Sequence, residues 1–293
     1  MKSVKKRIKA ALGIGLKHRI QDQEAQIAAM GALKNAFLPT ALDKSVLDEK
    51  LSPDIEKKLD GVPHLIHKND IMFLGDLKNA GNVKVAMEIY FNLGYETTKK
   101  LADLVRQSRS NPLEKVLDFG AGYGRLSRYF KKFFGAEEYY ASDIKEEAVL
   151  FTSELCGFKP VYHTSVPESF RVEERFDVIF AGSVFTHLPA GIMTQWLKVL
   201  AQHLTDDGVL LFSTRPEADL RNLSGSKDFL FFPVNEDEDF KSTPNSIKDT
   251  ARYGTTFFSN AYLKKEMDAL GLDHVIHHRM YGGVQDIVSA SKK

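Results

Sequence analysis

An acid followed by alternating glycines stands near residue 120. In the run VLDFGAGYGR over residues 116–125, Asp118 comes two positions before the first glycine. The apolar residues around Asp118 predict a short buried strand that ends at the glycines. Because they lack a Cβ, Gly120 and Gly122 allow the backbone to approach a bound ligand closely. A carboxylate at this point repels a pyrophosphate and suits a ligand that carries an ammonium group.

Two other interpretations of this glycine-rich turn stay open. Dinucleotide-binding domains carry G-x-G-x-x-G and hold a pyrophosphate at a helix N-terminus. The spacing here is G-x-G-x-G with Asp118 in front of it, which makes an NAD(P)-dependent oxidoreductase the weaker enzyme hypothesis. Asp118 is also a residue type that caps helices and forms turns without any ligand.

Two further residues whose side chains could bind a ligand or act in catalysis stand at the ends of predicted strands. Asp143 ends the second strand, in SDI over residues 142–144, and suits either a ligand or a turn. His187 follows the fourth strand, in GSVFTH over residues 182–187, and its ordinary pKa of about 6.5 suits a general base. The alternative for His187 is a structural role at the start of the next helix. His163 has no comparable context.

Short apolar strands alternate with helices, which predicts a doubly wound α/β sheet of seven mostly parallel strands with helices on both faces. The predicted strands cover residues 115–119, 138–142, 160–163, 176–181, 208–214, 273–278 and 285–290. The predicted helices cover residues 83–107, 125–134, 146–156, 194–204 and 260–270. The last two strands are close enough to form an antiparallel hairpin through Gly282 and Gly283.

These elements resemble the class I S-adenosylmethionine-dependent methyltransferases over residues 112–215 and the last strands. VLDFGAGYGR resembles motif I, FDVIFAGSVFTHL resembles motif IV, and LTDDGVLLFST resembles the fifth-strand segment. The resemblance implies a Rossmann-like fold, S-adenosylmethionine as cofactor, Asp143 as the acid that binds both ribose hydroxyls, and Ile144 against the adenine. Residues 164–166 correspond to the adenine edge, although the acid usual there is missing. The implied cofactor-binding residues are Asp118, Gly120, Ala121, Gly122, Arg125, Asp143, Ile144, Ser165, Gly182 and Ser183.

A narrower resemblance concerns the acceptor. GAGYGRLSRYF, SDI, FAGSVFTHL, YGT at 253–255 and GVQDI at 283–287 are similar to a bacterial group associated with polysaccharide and glycan biosynthesis. That group implies O-methylation of a sugar or glycan hydroxyl by in-line displacement, with His187 as the general base. No cysteine cluster or clear carboxylate set is present, so we predict no required metal. A non-catalytic methyltransferase-like scaffold in a glycan-assembly complex is the alternative from another class.

The domain organisation is predicted in two parts. Residues 1–80 form a basic, helical N-terminal extension, and residues 81–293 form the methyltransferase domain. Residues 216–253 contain an aromatic cluster but no clear helix or strand. A stretch this long after the fifth strand lies at the ligand-binding edge of such a sheet, so we predict a lid over the substrate site.

Composition limits the partners and the compartment. The net charge is +1, so we expect no nucleic-acid partner. The single cysteine, Cys156, and the lack of an evident signal peptide or membrane-spanning run predict a cytoplasmic protein. The basic residues 1–20 form either an amphipathic helix on the inner face of an anionic membrane or a solvated tail. A thin apolar stripe over residues 21–35 suits self-association into a homo-oligomer.

Overall fold

The computed structural model describes residues 50–233 and 253–293. Its helices are α1 (Pro53–Lys58), α2 (Ile71–Ala80), α3 (Val83–Ser108), α4 (Phe130–Phe133), α5 (Glu146–Cys156), α6 (Ala190–Gln202), α7 (Glu217–Ser224) and α8 (Asn260–Ala269). Its strands are β1 (Lys115–Phe119), β2 (Glu138–Asp143), β3 (Lys159–Tyr162), β4 (Phe176–Ala181), β5 (Leu204–Thr214), β6 (Phe229–Pro233), β7 (Gly254–Phe258), β8 (Leu272–Tyr281) and β9 (Gln285–Lys292). Within these ranges, no helix has the length and apolar character needed to cross a membrane. The predicted segments 1–20 and 21–35 lie outside the described residues.

The main sheet of the described chain has seven strands in the order β3-β2-β1-β4-β5-β9-β8. The strands β1 to β5 pair in parallel, and β9 lies antiparallel between β5 and β8. The strand order reverses between β1 and β4, and ligands bind in open α/β sheets at the carboxyl ends of strands at such a point. The predicted Rossmann-like sheet, including its antiparallel final hairpin, is confirmed.

Helices cover both faces of the sheet because its central strands are apolar on both sides. All residues of β4 are buried, and their side chains alternate between two cores. Ile179 lies in the core that contains Trp196 of α6. Val178 lies in the opposite core, which contains Leu101 of α3. This double burial holds the carboxyl end of β4 rigidly in the middle of the sheet.

Residues 50–80, which the sequence placed in an N-terminal extension, pack as part of the domain body. The described residues, 50–233 and 253–293, belong to one compact unit, and both α1 and α2 pack against α3. Asp70 caps α2 by accepting two backbone N–H bonds of its first turn. The hydroxyl of Tyr90 on α3 also donates to Asp70, over 2.6 Å. This buried bond fixes the loop that precedes α2.

The insertion after β5 contains regular structure that the sequence did not predict. The segment 216–253 was expected to lack helices and strands, but it contains α7 and β6. The strand β6 carries the aromatic cluster and pairs antiparallel with β7, Phe231 lying opposite Thr256. Since its partner is distant in the sequence, local pattern could not reveal this pairing. Residues 234–252 of the predicted lid lie outside the described residues.

Two predicted helices have different bounds in the structure. A single helix was expected over residues 125–134, but a 3₁₀ turn over Ser127–Tyr129 precedes the short α4. Gly124 adopts a φ of 79°, outside the right-handed helical region, which delays the start of the helix. The helix α6 begins at Ala190 rather than Thr194. Pro189 is its N-cap residue, a position at the helix start where a proline does not interrupt the helix.

Candidate functional site

A cavity of about 570 Å³ lies at the carboxyl ends of β1, β2 and β4. Every residue that the sequence assigned to the site lines it: Asp118, Gly120, Ala121, Gly122, Arg125, Asp143, Ile144, Ser165, Gly182, Ser183 and His187. The convergence follows from the sheet order, since β1 lies between β2 and β4. The individual roles of these residues stay predictions.

The turn after β1 exposes backbone to the cavity. Gly120 and Gly122 adopt φ values of 78° and 54°, which side-chain-bearing residues rarely adopt. A Cβ on Gly120 would lie 2.3 Å from Cγ2 of Val184, so a side chain there would collide with the segment after β4. The N–H groups of Gly120 and Ala121 both donate to the Ser142 carbonyl. The turn is thereby fixed against the end of β2.

Asp118 is a buried carboxylate that forms no ion pair with any described residue. It is 3% exposed, and the Ser127 hydroxyl donates to its Oδ2 over 2.6 Å. Burial raises the pKa of Asp118 to about 7, against the lowering effect of the Ser127 bond, and the Asp143 charge adds to the rise. A ligand ammonium would supply the missing positive charge. The residue therefore fits the predicted methionine end of S-adenosylmethionine.

This buried acid makes the stability of the ligand-free protein depend on pH. Because the folded pKa lies above the unfolded value, stability from this group falls as pH rises from about 4 to about 7. Asp118→Asn removes the ionisation and keeps an acceptor for Ser127. We expect it to raise Tm at pH 8 by at least about 2 °C and to leave Tm nearly unchanged at pH 4.5. Thermal unfolding across this pH range measures both, and an equal loss of Tm at both pH values would contradict the assignment.

Asp143 is held in place by backbone donors on both of its oxygens. The Gly122 N–H donates to Oδ2 over 3.0 Å, and the Lys145 N–H donates to Oδ1 over 2.9 Å. Each carboxylate oxygen keeps a second acceptor position. The group can therefore accept two further hydrogen bonds from neighbouring hydroxyls of a ribose. In the segment 164–166, Ser165 lines the cavity as predicted.

Arg125 retains hydrogen-bonding capacity beside the cavity. Its guanidinium Nη1 lies 3.9 Å from Oδ2 of Asp76, a loose ion pair. The same guanidinium lies 5.9 Å from the centre of the Tyr90 ring. Burial raises the pKa of Asp76, and the charge of Arg125 opposes that rise. The arrangement leaves Arg125 donors for a ligand carboxylate.

Ser183, at the exit of β4, has a strained backbone. Its φ is 57°, a value uncommon for residues other than glycine. The conformation is held by two bonds, from the Ser183 N–H to Oγ of Ser213 over 2.7 Å and from Gln285 Nε2 to Oγ of Ser183 over 2.9 Å. Strain that neighbours maintain in this way is typical of functional sites.

His187 is arranged as a neutral base. It ends a 3₁₀ turn, Phe185–His187, directly after β4. Its Nδ1 lies 2.8 Å from the Gly254 carbonyl oxygen, so the neutral ring donates from Nδ1 and carries its lone pair on Nε2. The Tyr253 ring stacks on the imidazole with 5.0 Å between centres. Burial lowers the pKa of His187, and the nearby Arg215 adds to this effect against the Gly254 bond.

Several cavity residues were not predicted from the sequence. They are Asp70, Ile71, Met72, His163, Trp196, Gly254, Thr255 and Tyr281. The YGT segment at 253–255 was part of the narrower resemblance, but no role was assigned to it. His163 stacks on Phe119 with 4.9 Å between ring centres. Apart from His163, which ends the predicted third strand, contacts between distant segments bring these residues to the cavity, and their spacing in the sequence does not encode such contacts.

In the ranges that the structure describes, no group of three or more His, Cys, Asp or Glu residues is placed to hold a metal ion. Asp118 and Asp143 have hydrogen-bond donors from the protein as their partners. That the reaction needs no metal stays a prediction.

Comparison with protein families decides between the enzyme classes left open by the glycine turn. The family described as a methyltransferase domain matches residues 93–278, more than half of the chain. The chain belongs to this family. This membership favours the methyltransferase hypothesis over the NAD(P)-dependent oxidoreductase hypothesis.

Two curated proteins are similar to this methyltransferase. A malonyl-[acyl-carrier protein] O-methyltransferase of Bacillus cereus is 27% identical over 188 residues, which cover 64% of this chain and 65% of the relative. A protein of the same name from Bacillus anthracis is 28% identical over 165 residues, which cover 56% of each chain. The matched region thus spans less than two thirds of either relative.

A solved structure supports the fold. The crystal structure of an S-adenosylmethionine-dependent methyltransferase from Clostridium acetobutylicum aligns with a TM-score of 0.50 at 12% identity. The alignment covers 67% of this methyltransferase and 91% of that chain. At this identity the likeness concerns the fold, which agrees with the sheet described above.

Proposed function

We propose that this methyltransferase transfers a methyl group from S-adenosylmethionine to a hydroxyl oxygen of a sugar or glycan. The observation that carries the proposal is the state of His187. Its Nδ1 is hydrogen-bonded to the Gly254 carbonyl oxygen, and burial lowers its pKa. The ring is therefore neutral at physiological pH and offers Nε2 as a proton acceptor.

The opposite part of the cavity suits the methyl donor. In this proposal Asp143 accepts hydrogen bonds from the ribose hydroxyls, and the negative charge of Asp118 balances the ammonium group of the methionine part. The open backbone around Gly120 allows close approach of the ligand. When bound, S-adenosylmethionine supplies a methyl carbon already activated by its positively charged sulfur.

The protein has two tasks in the transfer. It must hold the acceptor oxygen in line with the bond from the methyl carbon to the sulfur. An enclosing cavity contributes most to this alignment. It must also remove the hydroxyl proton, which His187 accepts at Nε2. The hydrogen bond from His187 to Gly254 ties the base to β7, and β7 in turn pairs with β6 of the insertion.

A carboxylate acceptor is the second candidate. Both curated relatives are described as malonyl-[acyl-carrier protein] O-methyltransferases. A carboxylic acid is already ionised near pH 7, so its methylation requires no base. A neutral histidine at the cavity favours the hydroxyl acceptor over the carboxylate.

Methyl uptake separates the candidates. The full chain is incubated with S-adenosylmethionine labelled in its methyl group, with sugar nucleotides and oligosaccharides in one set of reactions and malonyl-acyl carrier protein in another. We expect label in a sugar as an ether that survives mild alkali. Label in malonyl-acyl carrier protein that mild alkali releases as methanol would overturn the hydroxyl proposal. Donor binding without uptake by any acceptor would support a scaffold instead.

A further inference from the structure

Tyr281 carries a polar group at the cavity that the protein itself does not use. The residue ends β8, is 7% exposed and lines the cavity. Its hydroxyl forms no hydrogen bond with any residue in the described ranges and is not among their buried unpartnered atoms, so it is open to the cavity and free to bond a ligand. Tyr129 shows the usual pattern of a buried tyrosine, since its hydroxyl donates to the Phe91 carbonyl over 3.0 Å.

The position of Tyr281 relative to the strands points to one part of the ligand. Its ring lies 6.1 Å from the Phe180 ring on β4, and its hydroxyl would be 3.2 Å from a Cβ placed on Gly182. In the sheet, Phe180 is the register partner of Asp118 on β1. Asp143 ends β2, on the other side of β1. Tyr281 therefore lies beyond Asp118 on the side away from the ribose-binding acid.

A donor that places its ribose on Asp143 and its ammonium on Asp118 extends its remaining amino-acid atoms toward β4. The α-carboxylate next to the ammonium has about four acceptor positions, so it can accept from Arg125 and from a second donor. We infer that the Tyr281 hydroxyl donates to this carboxylate and is a further donor-binding residue. The inference rests on the proposed function. A phenolic O–H to a carboxylate is a charge-assisted bond, among the stronger neutral-to-ion contacts.

Tyr281→Phe tests the inference because it removes only the hydroxyl. Calorimetric titration of the full chain compares S-adenosylhomocysteine with 5′-methylthioadenosine, which lacks the amino-acid carboxylate and ammonium. We expect the variant to bind S-adenosylhomocysteine roughly 10-fold more weakly and 5′-methylthioadenosine within about 2-fold of wild type. Its Tm without ligand should not fall, since no protein contact is lost.

Tyr129→Phe is the matched control. It breaks a protein hydrogen bond away from the cavity, so we expect a lower Tm and an unchanged ratio of the two affinities. The inference would be overturned if Tyr281→Phe bound S-adenosylhomocysteine with unchanged affinity, or if its affinities for both ligands fell by the same factor. If wild type binds S-adenosylhomocysteine normally, such a result leaves the proposed function intact. If wild type binds neither ligand, the proposed function fails and the inference fails with it.

Discussion

Asp143→Asn is expected to weaken S-adenosylmethionine binding by roughly 100-fold or more. The carboxylate accepts two charge-assisted hydrogen bonds from the ribose in our account, and each bond to a charged group contributes about 1.5–3 kcal/mol. Asparagine is nearly equal in size but offers one acceptor oxygen in place of two. That oxygen is also in demand from the backbone donors of Gly122 and Lys145. Calorimetric titration of wild type and variant measures the change directly.

Asp177→Asn provides a matched control for this experiment. Asp177 also accepts two backbone N–H bonds, from Glu114 and Lys115, but at the amino end of β4. It does not line the cavity. We expect Asp177→Asn to lower Tm. Its affinity for S-adenosylmethionine, calculated for the folded fraction of the protein, should stay within about 2-fold of wild type. Equal loss of affinity in both variants would mean that Asp143 acts only through the fold.

His187→Gln is expected to lower kcat by about 10²–10⁴-fold on a hydroxyl acceptor, the range for loss of a general base. In wild type, kcat should rise with pH as the imidazole loses its proton and then level off. Because the pKa of His187 is lowered, the midpoint of this rise should lie below the ordinary histidine pKa of about 6.5. The variant should lose this rise. Rate measurements from pH 5 to 9 on the acceptor found by methyl uptake test both effects.

His203→Gln is the control for general effects of replacing a histidine. The Nδ1 of His203 also lies 2.8 Å from a backbone carbonyl oxygen, that of Val199, but the residue is not at the cavity. We expect its kcat and pH profile to match wild type. Near-full kcat in His187→Gln on a hydroxyl acceptor would show that His187 is not the base.

The sheet, and the position of the acids and glycines that line the cavity, could be predicted because both are encoded locally. An apolar run such as β4 is buried on both faces and signals a central strand without reference to other segments. Asp118 is the penultimate residue of β1 and Asp143 is the last residue of β2, so the order of the parallel strands brings them to one edge. The alternating glycines after Asp118 indicate a turn with positive φ values, because glycine is the residue that adopts them most readily.

The walls of the cavity could not be predicted because they come from distant segments. Asp70 reaches the cavity through a hydrogen bond with Tyr90, twenty positions along the chain. Gly254 meets His187 only because β7 packs beside the turn after β4. The helix predicted over residues 125–134 was too long because the local pattern does not distinguish the 3₁₀ turn over Ser127–Tyr129 from an α-helix. Such contacts depend on tertiary packing, which overrides local preference.

Titration of the wild-type full chain with S-adenosylmethionine, and with NAD and NADP in parallel, tests the central claim most directly. The account predicts saturable binding of S-adenosylmethionine and no binding of either nicotinamide cofactor, because Asp118 favours an ammonium group and repels a pyrophosphate. Absence of S-adenosylmethionine binding, or a preference for NAD or NADP, would contradict it.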